Sequence, residues 1–86
     1  MTITKKTVAN KLAAYLRHEQ TLGDLVEWSE HAIQEGVFDP KNAKLLATVI
    51  GRLGVADVRA FGLAWEDCEQ ILKQLGYSAR VDVFAA

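Results

Sequence analysis

The chain has 86 residues, half of them apolar, and its ten Lys and Arg residues nearly balance eleven Asp and Glu residues. This size and composition are typical of one small soluble domain, and the balanced charge gives no general attraction to nucleic acid. No apolar stretch approaches the roughly 20 residues that span a bilayer, so we expect no membrane role. The single Cys68 excludes an internal disulfide, and the N-terminal residues do not read as a secretion signal, so we expect a cytoplasmic location.

The first predicted helix runs from about Lys5 to His18. Ile3, ahead of the helix, is expected to pack onto Val8 as a hydrophobic staple. The stretch from Met1 to His18 contains Lys and Arg but no acid. The apolar face of this helix repeats at helical spacing, and its members are Val8, Leu12, Tyr15 and Leu16.

The second predicted helix carries a block of negative charge. Thr21 and Asp24 form a capping-box pattern at its start, and Gly36 ends it. Six carboxylates and no Lys or Arg occur from Glu19 to Asp39. Segregated charge of this kind builds a surface potential that attracts or rejects partners.

The second half of the chain predicts further helices. Asp39 and Pro40 are typical of a helix start, and Gly54 ends this third helix. A short helix is predicted over Val55–Phe61 and a longer one over Trp65–Leu75, stopped by Gly76. The residues Arg80–Phe84 alternate like a strand that has no partner in a helical chain.

These elements predict an all-α fold, a small bundle of four main helices plus one short helix, with a short extended C-terminal arm. We assign residues 1–78 to a single helical domain and residues 79–86 to an extended arm or flexible tail. The predicted core consists of Val8, Leu12, Leu16, Leu25, Ile33, Leu46, Val49, Ile50, Leu53, Phe61, Leu72 and Leu75.

The sequence contains no catalytic or cofactor motif. Cys68 falls at core spacing beside Ile71 and Leu72, which is typical of a small buried residue. Glu27, His31 and Glu35 lie four apart on one helical face and could contribute metal ligands, but such a row rarely converges on one ion without ligands from another helix. We therefore interpret the row as a solvated strip and expect no enzyme activity, metal or cofactor.

A helix-turn-helix regulator is the alternative function. Leu46 to Tyr77 has the outline of that motif, but the first turn of its reading helix would present acids to the duplex. These acids are Glu66, Asp67 and Glu69. The basic residues that could form a nucleic-acid patch are Lys41, Lys44, Arg52 and Arg59.

Residues 61–77 resemble the later part of SAM-type interaction domains. In that family, too, a loop leads into an acidic helix start, and the helix ends in a Leu-Gly-apolar stop, here Leu75-Gly76-Tyr77. The resemblance covers less than a quarter of the chain, and the preceding helices do not follow the family pattern. No binding residues are carried over from it.

The remaining interpretation is a non-enzymatic protein-interaction module, of the kind found in adaptor, antidote or immunity proteins. An indole among carboxylates suits a partner with a basic surface, although Trp28 could instead close the core, and Trp65 has the same ambiguity. We also expect a homodimer, held by pairing of two tails or by contact of the basic first helix with the acidic second helix. The candidate contact residues are Asp24, Glu27, Trp28, Glu30, His31 and Glu35.

Overall fold

A computed structural model describes residues 1–58, 62–80 and 83 of the protein. It is 60% helical, which confirms the predicted all-α class with four main helices. The elements in chain order are β1 (Thr2–Ile3), α1 (Lys5–Leu16), α2 (Leu22–Glu35), β2 (Val37–Phe38), α3 (Ala43–Leu53) and α4 (Trp65–Gln74). None of the helices in the described ranges has the length and apolar character needed to cross a membrane.

Side chains cap the first two helices, and the cap of α2 is the one that its sequence predicts. The Thr21 hydroxyl accepts from the Asp24 N–H at 3.1 Å, and the Asp24 carboxylate accepts from the Thr21 N–H at 3.1 Å. Thr4 and Thr7 form the equivalent pair at the start of α1. These bonds satisfy backbone donors that a helix start leaves without intrahelical partners. The start of α2 is thereby fixed at the edge of the acidic block.

The start of α3 differs from the sequence prediction. The helix begins at Ala43, three residues after Pro40, because Asp39 caps a turn instead of the helix. The Asp39 carboxylate accepts from the Lys41 N–H at 3.2 Å, and its carbonyl accepts from the Asn42 N–H at 3.0 Å. An Asp side chain that bonds the backbone two residues on is typical of a turn.

The connection from α3 to α4 begins as successive turns. The Ala56 N–H donates to the Leu53 carbonyl at 3.1 Å, and the Val58 N–H donates to the Val55 carbonyl at 3.0 Å. Residues 59–61, the second part of the predicted short helix, lie outside the described residues. Of the predicted arm over 79–86, only residues 79, 80 and 83 are described. Ala79 packs against the core, whereas Val83 is 94% exposed.

A small parallel sheet joins the N-terminal residues to the end of α2, and the sequence did not predict it. Thr2 lies opposite Val37 and Ile3 opposite Phe38. The Val37 N–H donates to the Met1 carbonyl at 2.7 Å, and the Asp39 N–H donates to the Ile3 carbonyl at 2.9 Å. Ile3 is fully buried and Phe38 packs against the core, so their shared face of the sheet points inward.

The core lies where α2 makes its most extensive contact, against α3. Most of the predicted core residues are buried, and Leu16 packs against them while partly exposed. Ile33 was predicted to be buried but is 52% exposed. The buried stripe of α2 runs through Leu25, Ser29 and Ala32, and Ile33 lies one residue, about 100° of helix rotation, past Ala32. Phe61 lies outside the described residues.

Candidate functional site

The outward face of α2 is acidic. Because the buried stripe of this helix turns toward α3, the polar side chains between its members point to solvent. The exposed members of the predicted contact set are Asp24, Glu27, Glu30, His31 and Glu35. The structure therefore places every charged or titratable residue of that set at the surface.

Four of the six predicted contact residues border one shallow hollow of about 330 Å³, which we call the Trp28 hollow. Its lining consists of Met1, Gln20, Asp24, Glu27, Trp28 and His31. Glu30 and Glu35 do not border it. Sequence reasoning missed Met1 and Gln20, because neither lies on α2 and both reach the hollow through the folding of neighbouring segments.

Trp28 belongs to both the core and the surface. Its side chain is half-buried and packs against the core cluster, while it also borders the Trp28 hollow. The Lys11 ammonium, from α1, lies 5.5 Å from the centroid of the Trp28 ring, within the range of a cation–π interaction. Trp28 thus contributes to the core while part of its side chain remains at the surface.

Two polar details complete the geometry around the hollow. His31 Nε2 lies 3.0 Å from Glu35 Oε2, with both side chains exposed, so the pair is well screened by water. Gln20 Oε1 is buried and has no hydrogen-bond partner among the described residues. Within the same described part of the chain, no three His, Cys, Asp or Glu side chains are grouped as a metal site would require.

The described basic residues of the alternative function border two hollows. Lys41 and Lys44 border a hollow of about 500 Å³ at the start of α3. Arg52 points instead to α4, where its Nη2 lies 3.6 Å from Asp67 Oδ2. Arg59 lies outside the described residues. Asp67 also caps α4, since it accepts from the Ala64 N–H at 2.8 Å, so the acidic helix start predicted from the sequence is present.

Cys68 is fully buried on the inner face of α4. Burial, and then the nearby Asp67 carboxylate, raise the pKa of its thiol from 9.0 to about 11, although Arg52 opposes the shift. Only the thiolate is a good nucleophile, so this environment disfavours covalent chemistry at neutral pH.

A hollow of about 740 Å³ lies between α1 and the C-terminal segment. Leu16 and Trp65 border both this hollow and a smaller neighbouring one of about 430 Å³. Tyr77, which also borders the larger hollow, is 43% exposed. The lining of the larger hollow is more apolar than that of the Trp28 hollow.

Comparison of the chain with protein-family models, curated proteins and solved structures finds no match in any of the three. The similarity of residues 61–77 to SAM-type domains therefore remains an interpretation of the sequence.

Proposed function

We propose that this protein is a small non-enzymatic interaction module, such as an adaptor, antidote or immunity protein, that binds a partner with a basic surface through the acidic face of α2. One observation carries the proposal: the carboxylates of α2 are exposed together beside a half-buried indole. Aromatic anchors dominate the energetics of protein interfaces, whereas the surrounding charge accelerates association and rejects like-charged competitors.

The environment of Cys68 supports binding over catalysis. A buried thiol with a raised pKa is a poor nucleophile, and it is the only cysteine of the chain. A single unpaired cysteine also suits a reducing compartment, so we include a cytoplasmic location in the proposal.

We further propose that the chain forms a homodimer. Exposed apolar side chains on the C-terminal segment support it, since Tyr77 is 43% and Val83 is 94% exposed. A second copy would remove this apolar surface from water. Sedimentation of the full chain and of a version ending at Ser78 tests the role of the tail: a monomeric full chain contradicts the dimer, and two salt-sensitive dimers assign the contact to the helices.

The helix-turn-helix alternative has weaker support. Lys41 and Lys44 are exposed at the start of α3, but Arg52 is directed toward Asp67. The first turn of α4 carries Glu66 and Asp67, whose charge repels phosphate.

Affinity capture from the native host with matched charge-reversal variants tests the interaction module. Glu27→Lys with Glu30→Lys reverses the α2 face, whereas Asp57→Lys with Glu66→Lys changes the net charge equally at exposed positions elsewhere. We expect the wild type and the second variant to retain a common basic partner that the first variant loses. Retention or loss by both variants contradicts the assignment of the surface to α2.

A further inference from the structure

We propose that the Trp28 hollow anchors the partner by receiving one arginine side chain, an inference that rests on the proposed binding of a basic protein by α2. It narrows the contact from the whole acidic face to one position. It also predicts that Asp24 and Glu27 matter more than Glu30 and Glu35, although all four are exposed acids of the same helix.

The acidic side chains that border the hollow complement a cation. Asp24 and Glu27 are three residues apart on α2, which places them on the same helical face. None of the six lining residues, all of them within the described part of the chain, is Lys or Arg. His31 lies 3.0 Å from Glu35 and is therefore directed toward a carboxylate outside the hollow.

The Trp28 ring adds a second attraction for a cation. Lys11 Nζ lies 5.5 Å from the ring centroid, so the π-system already attracts one positive group within the protein. Because Lys11 and an incoming cation carry the same charge, Lys11 competes with the partner for the ring and its surroundings. Removing the Lys11 charge should therefore strengthen binding.

Arginine fits this set of acceptors better than lysine. A guanidinium is planar, stacks on an aromatic face and presents five N–H donors in a fixed arrangement, whereas an ammonium is a compact and strongly hydrated charge. The guanidinium can donate to a carboxylate while it stacks on Trp28.

Titration with short peptides tests the anchor directly. The probes are acetyl-Gly-Arg-Gly-amide and the same peptide with lysine or with citrulline, a neutral isostere of arginine. The signal is the nuclear magnetic resonance of the Trp28 indole N–H, assigned with the Trp65→Phe variant. We expect saturable shifts with the arginine peptide at Kd of about 1–10 mM, weaker binding of the lysine peptide, and no saturation with citrulline.

A matched pair of variants separates local contacts from total charge. Asp24→Asn with Glu27→Gln should raise the Kd of the arginine peptide about fivefold or more. Glu30→Gln with Glu35→Gln should change this Kd less than about twofold, because screened charges outside the hollow contribute little. Asn retains an oxygen that can accept from the Thr21 N–H, so the cap of α2 is preserved. Thermal melting verifies that both variants fold.

The competing role of Lys11 has its own control. Lys11→Met should tighten binding of the arginine peptide about two- to fivefold, since it removes a like charge from the ring. Lys6→Met removes the same charge from an exposed position of α1 and should have at most half that effect. Equal effects of the two variants would contradict the placement of the anchor at Trp28.

The outcomes distinguish this inference from the proposed function. An equal response to arginine and citrulline, equal losses in the two acid-neutralising variants, or tighter binding of the lysine peptide overturns the arginine anchor. If the host partner is captured through α2 while the Trp28 indole does not respond to arginine, the anchor fails and the proposed function stands. If capture does not depend on α2, the proposed function fails whatever the peptides do.

Discussion

Ile3 packs so closely against the end of α2 that a Cβ placed on Gly36 would lie 2.9 Å from Ile3 Cγ1. The same Cβ would also fall against the Ala32 carbonyl oxygen. Gly36 has an ordinary backbone φ of −76°, so close approach and not conformation requires glycine here. The contact joins the N-terminal strand to the helix that carries the acidic face.

We expect Gly36→Ala to lower the free energy of unfolding by about 1–3 kcal/mol, the usual cost of overpacking a filled site. Gly51→Ala is the matched control, because that glycine lies inside α3 and a Cβ there meets nothing within 4 Å. The control should raise stability by about 0.5–1 kcal/mol through helix propensity. Urea denaturation of both variants measures the two changes, and a neutral Gly36→Ala would show that Ile3 and the Ala32 carbonyl can both move away.

Introducing glycine after α1 and removing glycine after α4 should change the stability of the fold in opposite directions. His18 has φ 62° and Gly76 has φ 89°, and both follow a helix as left-handed caps. His18→Gly should stabilise the fold by about 0.5–1 kcal/mol, and Gly76→Ala should destabilise it by about 1 kcal/mol, because a side chain strains this conformation. A Cβ on Gly76 meets no atom within 4 Å, so its effect isolates the backbone. Equal signs for the two changes in thermal melts would contradict this account.

Alanine substitutions at a buried and at an exposed aliphatic residue of α3 and α2 should differ in their cost to stability. Leu46 is fully buried, so Leu46→Ala should cost about 2–5 kcal/mol of stability. Ile33 is 52% exposed, and Ile33→Ala should cost less than about 1 kcal/mol. Chemical denaturation distinguishes them, and a similar loss at both positions would mean that Ile33 is buried after all, by the fold or by a second copy.

Cys68 predicts a loss of stability at high pH. Its thiol has a pKa near 11 when folded against 9.0 ordinarily, so the folded state binds the proton more tightly. The contribution of the protonated Cys68 thiol to folding stability is fully present below pH 9 and is lost as the pH rises toward 11. We expect a decline of order 1–2 kcal/mol across this window that is absent from Cys68→Ala. Denaturation of the wild type and of Cys68→Ala at several pH values gives the difference in their unfolding free energies. Parallel profiles of stability against pH would contradict the raised pKa of Cys68.

Binding to a nonspecific DNA duplex at moderate salt should be weak or undetectable. The acidic face of α2 and the first turn of α4 repel phosphate, and Arg52 is directed toward Asp67. A steep salt dependence that is reduced by replacing Lys41, Lys44 and Arg52 would instead favour the nucleic-acid alternative, because phosphate contacts produce that slope. Fluorescence anisotropy over a salt series measures it.

The sequence predicts those parts of the molecule that local patterns determine. The buried positions of α3 follow from their spacing, and the Thr21 cap follows from two side chains three residues apart. The start of α3 was misplaced because Asp39 and Pro40 suit a turn as well as a helix. Ile33 was misplaced because its spacing fits the apolar stripe, whereas the buried stripe ends at Ala32, one residue before it.

The candidate site was predicted in part for the same reason. Asp24, Glu27, Trp28 and His31 share a surface because one helix carries them all. Lys11 and Gln20 come from α1 and from the connection after it, and only the packing of α1 against α2 brings them to the indole. No pattern within either segment encodes that meeting, so periodicity could not reveal the competing ammonium or the unpartnered amide oxygen.

The pairing of β1 with β2 has a consequence for hydrogen exchange. Two strands of two residues each are not stable alone. Their hydrogen bonds therefore persist only while α1 and α2, which connect the strands along the chain, remain packed together. The amide hydrogens of Val37 and Asp39, which donate to Met1 and Ile3, should therefore exchange through the cooperative opening of the helix pair and not through local fraying. Their exchange rates would report how firmly the acidic helix is held in place.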